Sequence, residues 1–179
     1  MNRFRSHLVA LVSVAALSLL AGASTAAAEM GTPRTPNAGF DLMKSLVGEW
    51  TGAPAADGKS SSATYTLVSG GTALLEMLNA HDESMSMVTV YHPDGQSLLM
   101  THYCGANNQP RMRCAKPAAG AKSLVFEYVD CSNLPTSKTG HMNHLVITFV
   151  DPDHMTQAWT WKEGSKTGTE TFQFERKKS

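Results

Sequence analysis

The chain has 179 residues, with 15 Lys+Arg against 15 Asp+Glu and a formal net charge of zero at pH 7. So even a balance excludes the basic footprint of a nucleic-acid-binding protein. With 42% hydrophobic and 17% charged residues, the composition is that of a folded domain and not of a disordered tail.

The N-terminus reads as an export signal. Arg3 and Arg5 form a short basic segment, and residues 8–20 form an apolar run that is too short to span a bilayer comfortably. Small residues follow, and Ala26-Ala27-Ala28 suits a signal peptidase. Residues 1–28 are therefore expected to be a signal peptide, and the protein periplasmic or secreted. Removing them leaves 13 Lys+Arg against 15 Asp+Glu, a net charge of −2. No later apolar run is long enough for a membrane span after signal cleavage. Residues 29–37 carry two prolines and no apolar pattern, and read as a flexible leader. Residues 38–179 are expected to be a single domain.

Phe40, Met43 and Leu46 recur at helical spacing, with Asn37 as an N-cap and Gly48 as a stop. Beyond Gly48 the helical period disappears. Residues 49–52 start a first strand, and residues 61–68 alternate, with Tyr65 and Leu67 on one side. Ser69-Gly70-Gly71 is a hairpin signal. Residues 72–79 and 84–91 follow as strands, the second with Met85, Met87, Thr89 and Tyr91 on one face. Pro93-Asp94-Gly95 turns the chain into a strand at 97–104. Further strands are expected at 111–115, 123–129, 144–150, 155–162 and 168–176. Trp159 shares a face with Trp161, and Phe172 with Phe174.

About ten short strands with no interleaved helix mean a sandwich or a barrel. Nearly every connection is short enough for a hairpin, and closure removes the unpaired edges of so long a meander. The expected fold is all-β, an antiparallel up-and-down barrel with a short N-terminal helix.

The segment Leu46-Val47-Gly48-Glu49-Trp50-Thr51-Gly52 resembles the opening of calycin-type barrels, the lipocalins and fatty-acid-binding proteins, with a helical lead-in before Gly-x-Trp. That resemblance implies a Trp50 that plugs the closed end. Tyr91-His92-x-Asp94-Gly95, Thr101-His102-Tyr103-Cys104 and Asn108-Gln109-Pro110-Arg111 look like uncharacterised exported bacterial proteins with lipocalin-like folds. Haem-binding barrels of the nitrobindin type also begin with a Gly-x-Trp strand and use a late histidine as iron ligand. His141, His144 and His154 are late here, and none matches that motif.

The candidate site centres on His102. It shares a strand face with Met100 and Cys104, opposite to Tyr103. Facing inward, its imidazole can hold a ligand's polar group or be hydrogen-bonded within the wall. Tyr91, Met87, Met100 and Trp159 would line the same interior. Gln109, Arg111 and Arg113 can line a barrel mouth and bind a carboxylate, or Arg111 and Arg113 can be a solvated face. Methionines beside histidines, as in Met100-Thr101-His102, admit copper, although padding of an apolar cavity is commoner. Three cysteines in an exported chain point to one disulfide, with Cys104–Cys114 across a hairpin preferred and Cys114–Cys131 as the alternative. No catalytic constellation is present: there is no nucleophile elbow, zinc-protease motif, P-loop or dinucleotide fingerprint. The expected function is binding of a small apolar or amphipathic molecule inside the barrel, with no cofactor. The alternatives are an enzyme with His102 as acid or base, and a haem- or copper-binding barrel.

Overall fold

The computed structural model describes residues 35–54, 58–80 and 85–178. Residues 1–34, which carry the expected signal peptide and most of the expected leader, lie outside the described residues. The fold begins with α1 (Ala38–Lys44). Ten strands follow: β1 (Gly48–Pro54), β2 (Ser60–Val68), β3 (Ala73–Asn79), β4 (Ser86–Asp94), β5 (Ser97–Tyr103), β6 (Gln109–Cys114), β7 (Ser123–Ser132), β8 (His141–Asp151), β9 (His154–Glu163) and β10 (Lys166–Arg176). Each strand pairs antiparallel with its sequence neighbours, and β1 pairs with β10 to close the barrel. The expected ten-strand meander with a short helix is therefore what forms.

Closure leaves every strand with one face toward the interior, so alternation decides which side chains form the core. On β5, Leu98, Met100 and His102 are buried, while Tyr103 is exposed. On β9, Met155, Gln157 and Trp159 are buried. Trp50, Tyr65, Tyr91, Phe126 and Met112 complete the bulky filling.

Helix α1 covers one end of the barrel. Asn37 caps it, its Oδ1 accepting from the Phe40 N–H at 2.8 Å. The Asn37 amide also donates to the carbonyls of Gly95 and Ser97, both at 2.9 Å, which fixes the helix to the β4–β5 turn. Phe40, Met43 and Leu46 join the core, and the Trp50 indole donates to the Leu46 carbonyl at 2.8 Å. From the last strand, Arg176 lies over the Trp50 ring at 4.2 Å and donates to the carbonyls of Ser45, Val47 and Pro152. One guanidinium thus fastens the helix exit, the first strand and the β8–β9 turn together. Gly48, at φ +129°, makes the sharp entry from helix to barrel beside that guanidinium, where a side chain would be strained.

The expected Cys104–Cys114 bridge does not form: Cys104, Cys114 and Cys131 are free thiols. The hairpin register explains why. Cys114 pairs with Leu98, near the helix end of β5. Cys104 lies beyond the far end of β5, its N–H bonded to the Asn108 carbonyl at 3.1 Å. At about 3.3 Å per residue the two cysteines stand some 20 Å apart along the strand, and a disulfide needs Cα atoms within about 7 Å. Cys131 faces Pro110, so the alternative with Cys114 fails by the same register.

Candidate functional site

Four neighbouring strands each place one polar side chain on the same rung of the barrel interior. Tyr65 of β2 pairs with Glu76 of β3, Glu76 with Thr89 of β4, and Thr89 with His102 of β5. All four are essentially inaccessible to solvent. Gln157 and Trp159 of β9 reach the same level from across the barrel, with the His102 and Trp159 ring centroids 4.6 Å apart.

Glu76 is the hub. One carboxylate oxygen accepts from the Tyr65 hydroxyl at 2.9 Å and the other from the Tyr91 hydroxyl at 2.6 Å. The Gln157 amide nitrogen also donates to Glu76, and its amide oxygen accepts from the Trp159 indole at 2.7 Å. Burial pushes the Glu76 carboxyl above its ordinary range, while hydrogen bonds from Tyr91, Gln157, Tyr65 and Thr89 pull the other way. Burial, reinforced by the nearby Glu76 charge, holds both tyrosine hydroxyls well above the usual phenol range. Four donors on one carboxyl use up the acceptor sites of two oxygens. Glu76 therefore has no acceptor capacity left over for anything else.

The network ends at His102. Its Nδ1 lies 2.9 Å from the Thr89 hydroxyl oxygen. Thr89 has one proton to give, and it also bonds to Glu76, which as a carboxylate only accepts. The consistent assignment is that Thr89 donates to Glu76 and the Nδ1–H of His102 donates to Thr89. That tautomer leaves Nε2 with an exposed lone pair in chemical terms, yet buried in space. Nε2 has no partner among the described residues. Burial lowers the imidazole pKa from 6.5 to about 4, so the ring is neutral at pH 7.

A second unmet acceptor stands close by. Asn108, just before β6, is buried, and its amide nitrogen donates to the Gly140 carbonyl at 2.8 Å. Its Oδ1 has no partner among the described residues. The same end of the barrel holds His141, whose ring packs against Tyr128 with centroids 5.0 Å apart, and Trp161 against Gly140.

Of the residues expected to form a site, Tyr91, Met100, His102 and Trp159 come together inside the barrel, with Met87 half-buried against the same core. Gln109, Arg111 and Arg113 do not. They alternate onto the outer wall, where Gln109 accepts from Asn133 at 2.8 Å, Arg111 forks onto Asp130, and Arg113 pairs with Asp94. Alternation forces this: Pro110 and Met112 take the inward positions of β6. The solvated reading of the two arginines is the one realised, and they offer no carboxylate clamp to the interior. His144 likewise faces out, paired with Glu127. Among the described residues no three His, Cys, Asp or Glu side chains gather into a metal-holding group.

Glu76, Gln157 and Asn108 were not singled out from the sequence. Glu76 and Gln157 carry a detectable signal, a polar residue flanked at two positions on either side by apolar ones: Leu74-x-Glu76-x-Leu78 and Met155-x-Gln157-x-Trp159. Asn108 precedes its strand and shows no such pattern.

Two clefts of about 580 and 770 Å³ lie away from this network, one beside α1 around Asn37, Phe40 and His92, the other around Thr51, His154 and Phe174. Among the described residues no helix is long and apolar enough to cross a membrane. No protein-family model matches the chain, and no curated protein matches it. Fold and site together define a closed ten-stranded antiparallel barrel with a buried polar network. That network is saturated at its carboxylate and open at its histidine.

Proposed function

We propose that this protein is an exported carrier that holds a small, partly apolar molecule within its barrel, with His102 Nε2 accepting a hydrogen bond from the ligand's polar end. The supporting observation is the buried Nε2 without a partner among the described residues. A buried acceptor left unmet costs about 1–3 kcal/mol, which a donor-bearing ligand recovers. The apolar remainder of the ligand would contribute roughly 25 cal/mol per Å² buried. A ring whose pKa is lowered to about 4 is a weak proton acceptor at neutral pH, which favours binding over acid–base catalysis.

The test is native mass spectrometry of the full chain purified from its own host, wild type beside His102→Phe. The expected result is a co-purifying small molecule on the wild type that is lost in the variant. Wild-type protein without any bound mass, and with no extractable organic molecule, overturns the proposal.

A further inference from the structure

We infer that the ligand is an uncharged molecule with two hydrogen-bond donors, one received by His102 Nε2 and the other by Asn108 Oδ1, so that Asn108 sets specificity. This deepens the carrier reading and rests on it. The two acceptors are neighbours by register. Thr101 pairs with Arg111, which places His102 beside Pro110, and the Cys104 N–H bonds to the Asn108 carbonyl. Asn108 therefore sits on the adjacent strand, two residues nearer the barrel end opposite α1. Such diagonal neighbours stand roughly 7–8 Å apart, with their Cβ atoms somewhat closer, a span that one small molecule with two donors can bridge.

Both side chains are held so that an acceptor is what remains. The bond from Nδ1–H to Thr89 leaves the lone pair on Nε2, and the bond from the Asn108 amide nitrogen to Gly140 leaves Oδ1. Each is nine-tenths or more buried, and neither remaining atom has a partner among the described residues. Two fixed acceptors ask for two donors and reject a group that only accepts.

Charge narrows the class further. Among the described residues Glu76 is the one buried carboxylate, and no lysine or arginine is buried. An anionic ligand would enter a low-dielectric space with no cation to meet it and a carboxylate nearby. A fatty acid or other carboxylate is thus the wrong chemistry, and an apolar body with two hydroxyl or N–H groups is the right one.

The experiment titrates the full-length mature chain with hydroquinone and 2,6-dihydroxynaphthalene, each against its one-donor counterpart, phenol or 2-naphthol, and with 2-naphthoate. Binding is read by quenching of tryptophan fluorescence and by calorimetry. At least one diol is expected to bind about tenfold more tightly than its one-donor counterpart, the equivalent of one further hydrogen bond. The carboxylate is expected to bind weakest. In Asn108→Leu the diol advantage should vanish while binding of the one-donor compound persists. Equal affinity of diols and mono-ols in the wild type overturns the two-donor assignment and leaves the carrier reading standing. That comparison needs no variant to fold. Absence of binding by every compound overturns the carrier reading itself, and preference for the naphthoate overturns the charge argument.

Discussion

The Nδ1 of His102 lies 2.9 Å from the Thr89 hydroxyl, and this single contact decides which face of the imidazole is left over. It also makes His102 a titratable reporter of the interior. Its pKa is lowered from 6.5 to about 4, because burial disfavours the charged ring. A depressed pKa means that the unfolded chain binds the proton first. The stability linked to His102 is therefore fully present above pH 6.5 and is lost as pH falls toward 4. At about 1.4 kcal/mol per unit, the loss approaches 3 kcal/mol. Urea midpoints measured between pH 7 and pH 4 should fall in the wild type and fall less in His102→Gln. Fluorescence of Trp159, whose ring is 4.6 Å from the imidazole, should change over the lower part of the same range.

Glu76 gives the opposite sign. Its carboxyl is raised by burial, so its linked stability is greatest below the unfolded value of 4.5 and declines as pH rises through the folded value. Glu76→Gln preserves shape and removes the titration. The advantage of the wild type over this variant should be larger at pH 4.5 than at pH 8. Glu76→Ala is a different perturbation, because it strands the hydroxyl protons of Tyr65 and Tyr91 in the core, while the Gln157 amide keeps its bond to the Tyr65 oxygen. It should destabilise by at least about 3 kcal/mol at either pH, as denaturant unfolding would measure. Equal stability of Glu76→Ala and wild type would mean that the hub carries no structural weight.

The barrel was legible because β-strand alternation is a local property. Met100 and His102 against Tyr103, or Tyr65 against Thr64, can be sorted by counting in twos. The helix was legible from Asn37 and the spacing of Phe40, Met43 and Leu46. What counting in twos does not tell is which of the two faces is inside when both are apolar. On β3, Leu74, Glu76 and Leu78 alternate with Leu75 and Met77, and only the closed barrel decides that the carboxylate points inward. The arginines of β6 are the complementary case. Their shared face was read correctly, but their partners Asp130 and Asp94 come from other strands, and pairing across strands depends on register. Register also defeated the disulfide, since proximity to a turn says nothing about which residues face each other.

The cysteine register yields its own prediction. With Cys104 bonded opposite Asn108 and Cys114 opposite Leu98, neither thiol can reach the other without unpairing β5 from β6. Burial raises the pKa of all three thiols, which slows their oxidation. Peptide mapping of protein purified without reductant should find neither a Cys104–Cys114 nor a Cys114–Cys131 bridge, and Cys114 should react with a chromogenic disulfide after denaturation. A mapped bridge from Cys114 to either of the other cysteines would contradict the strand register.

The β7–β8 connection tests the far end of the barrel. A Cβ added at Gly140 would lie 2.1 Å from a ring carbon of Trp161, well inside contact distance. The indole is rigid and half-buried, so Gly140→Ala must displace either the ring or the loop backbone. Overpacking of this kind costs about 1–3 kcal/mol. Displacing the loop also stretches the bond from the Asn108 amide to the Gly140 carbonyl, the contact that orients Asn108 Oδ1. Gly140→Ala should therefore lower the urea midpoint and increase amide exchange around residues 105–109 and 133–140. The helix end, fastened separately by Arg176, should keep its protection. Uniform loss of protection over the whole barrel would show instead that the two ends unfold as one unit.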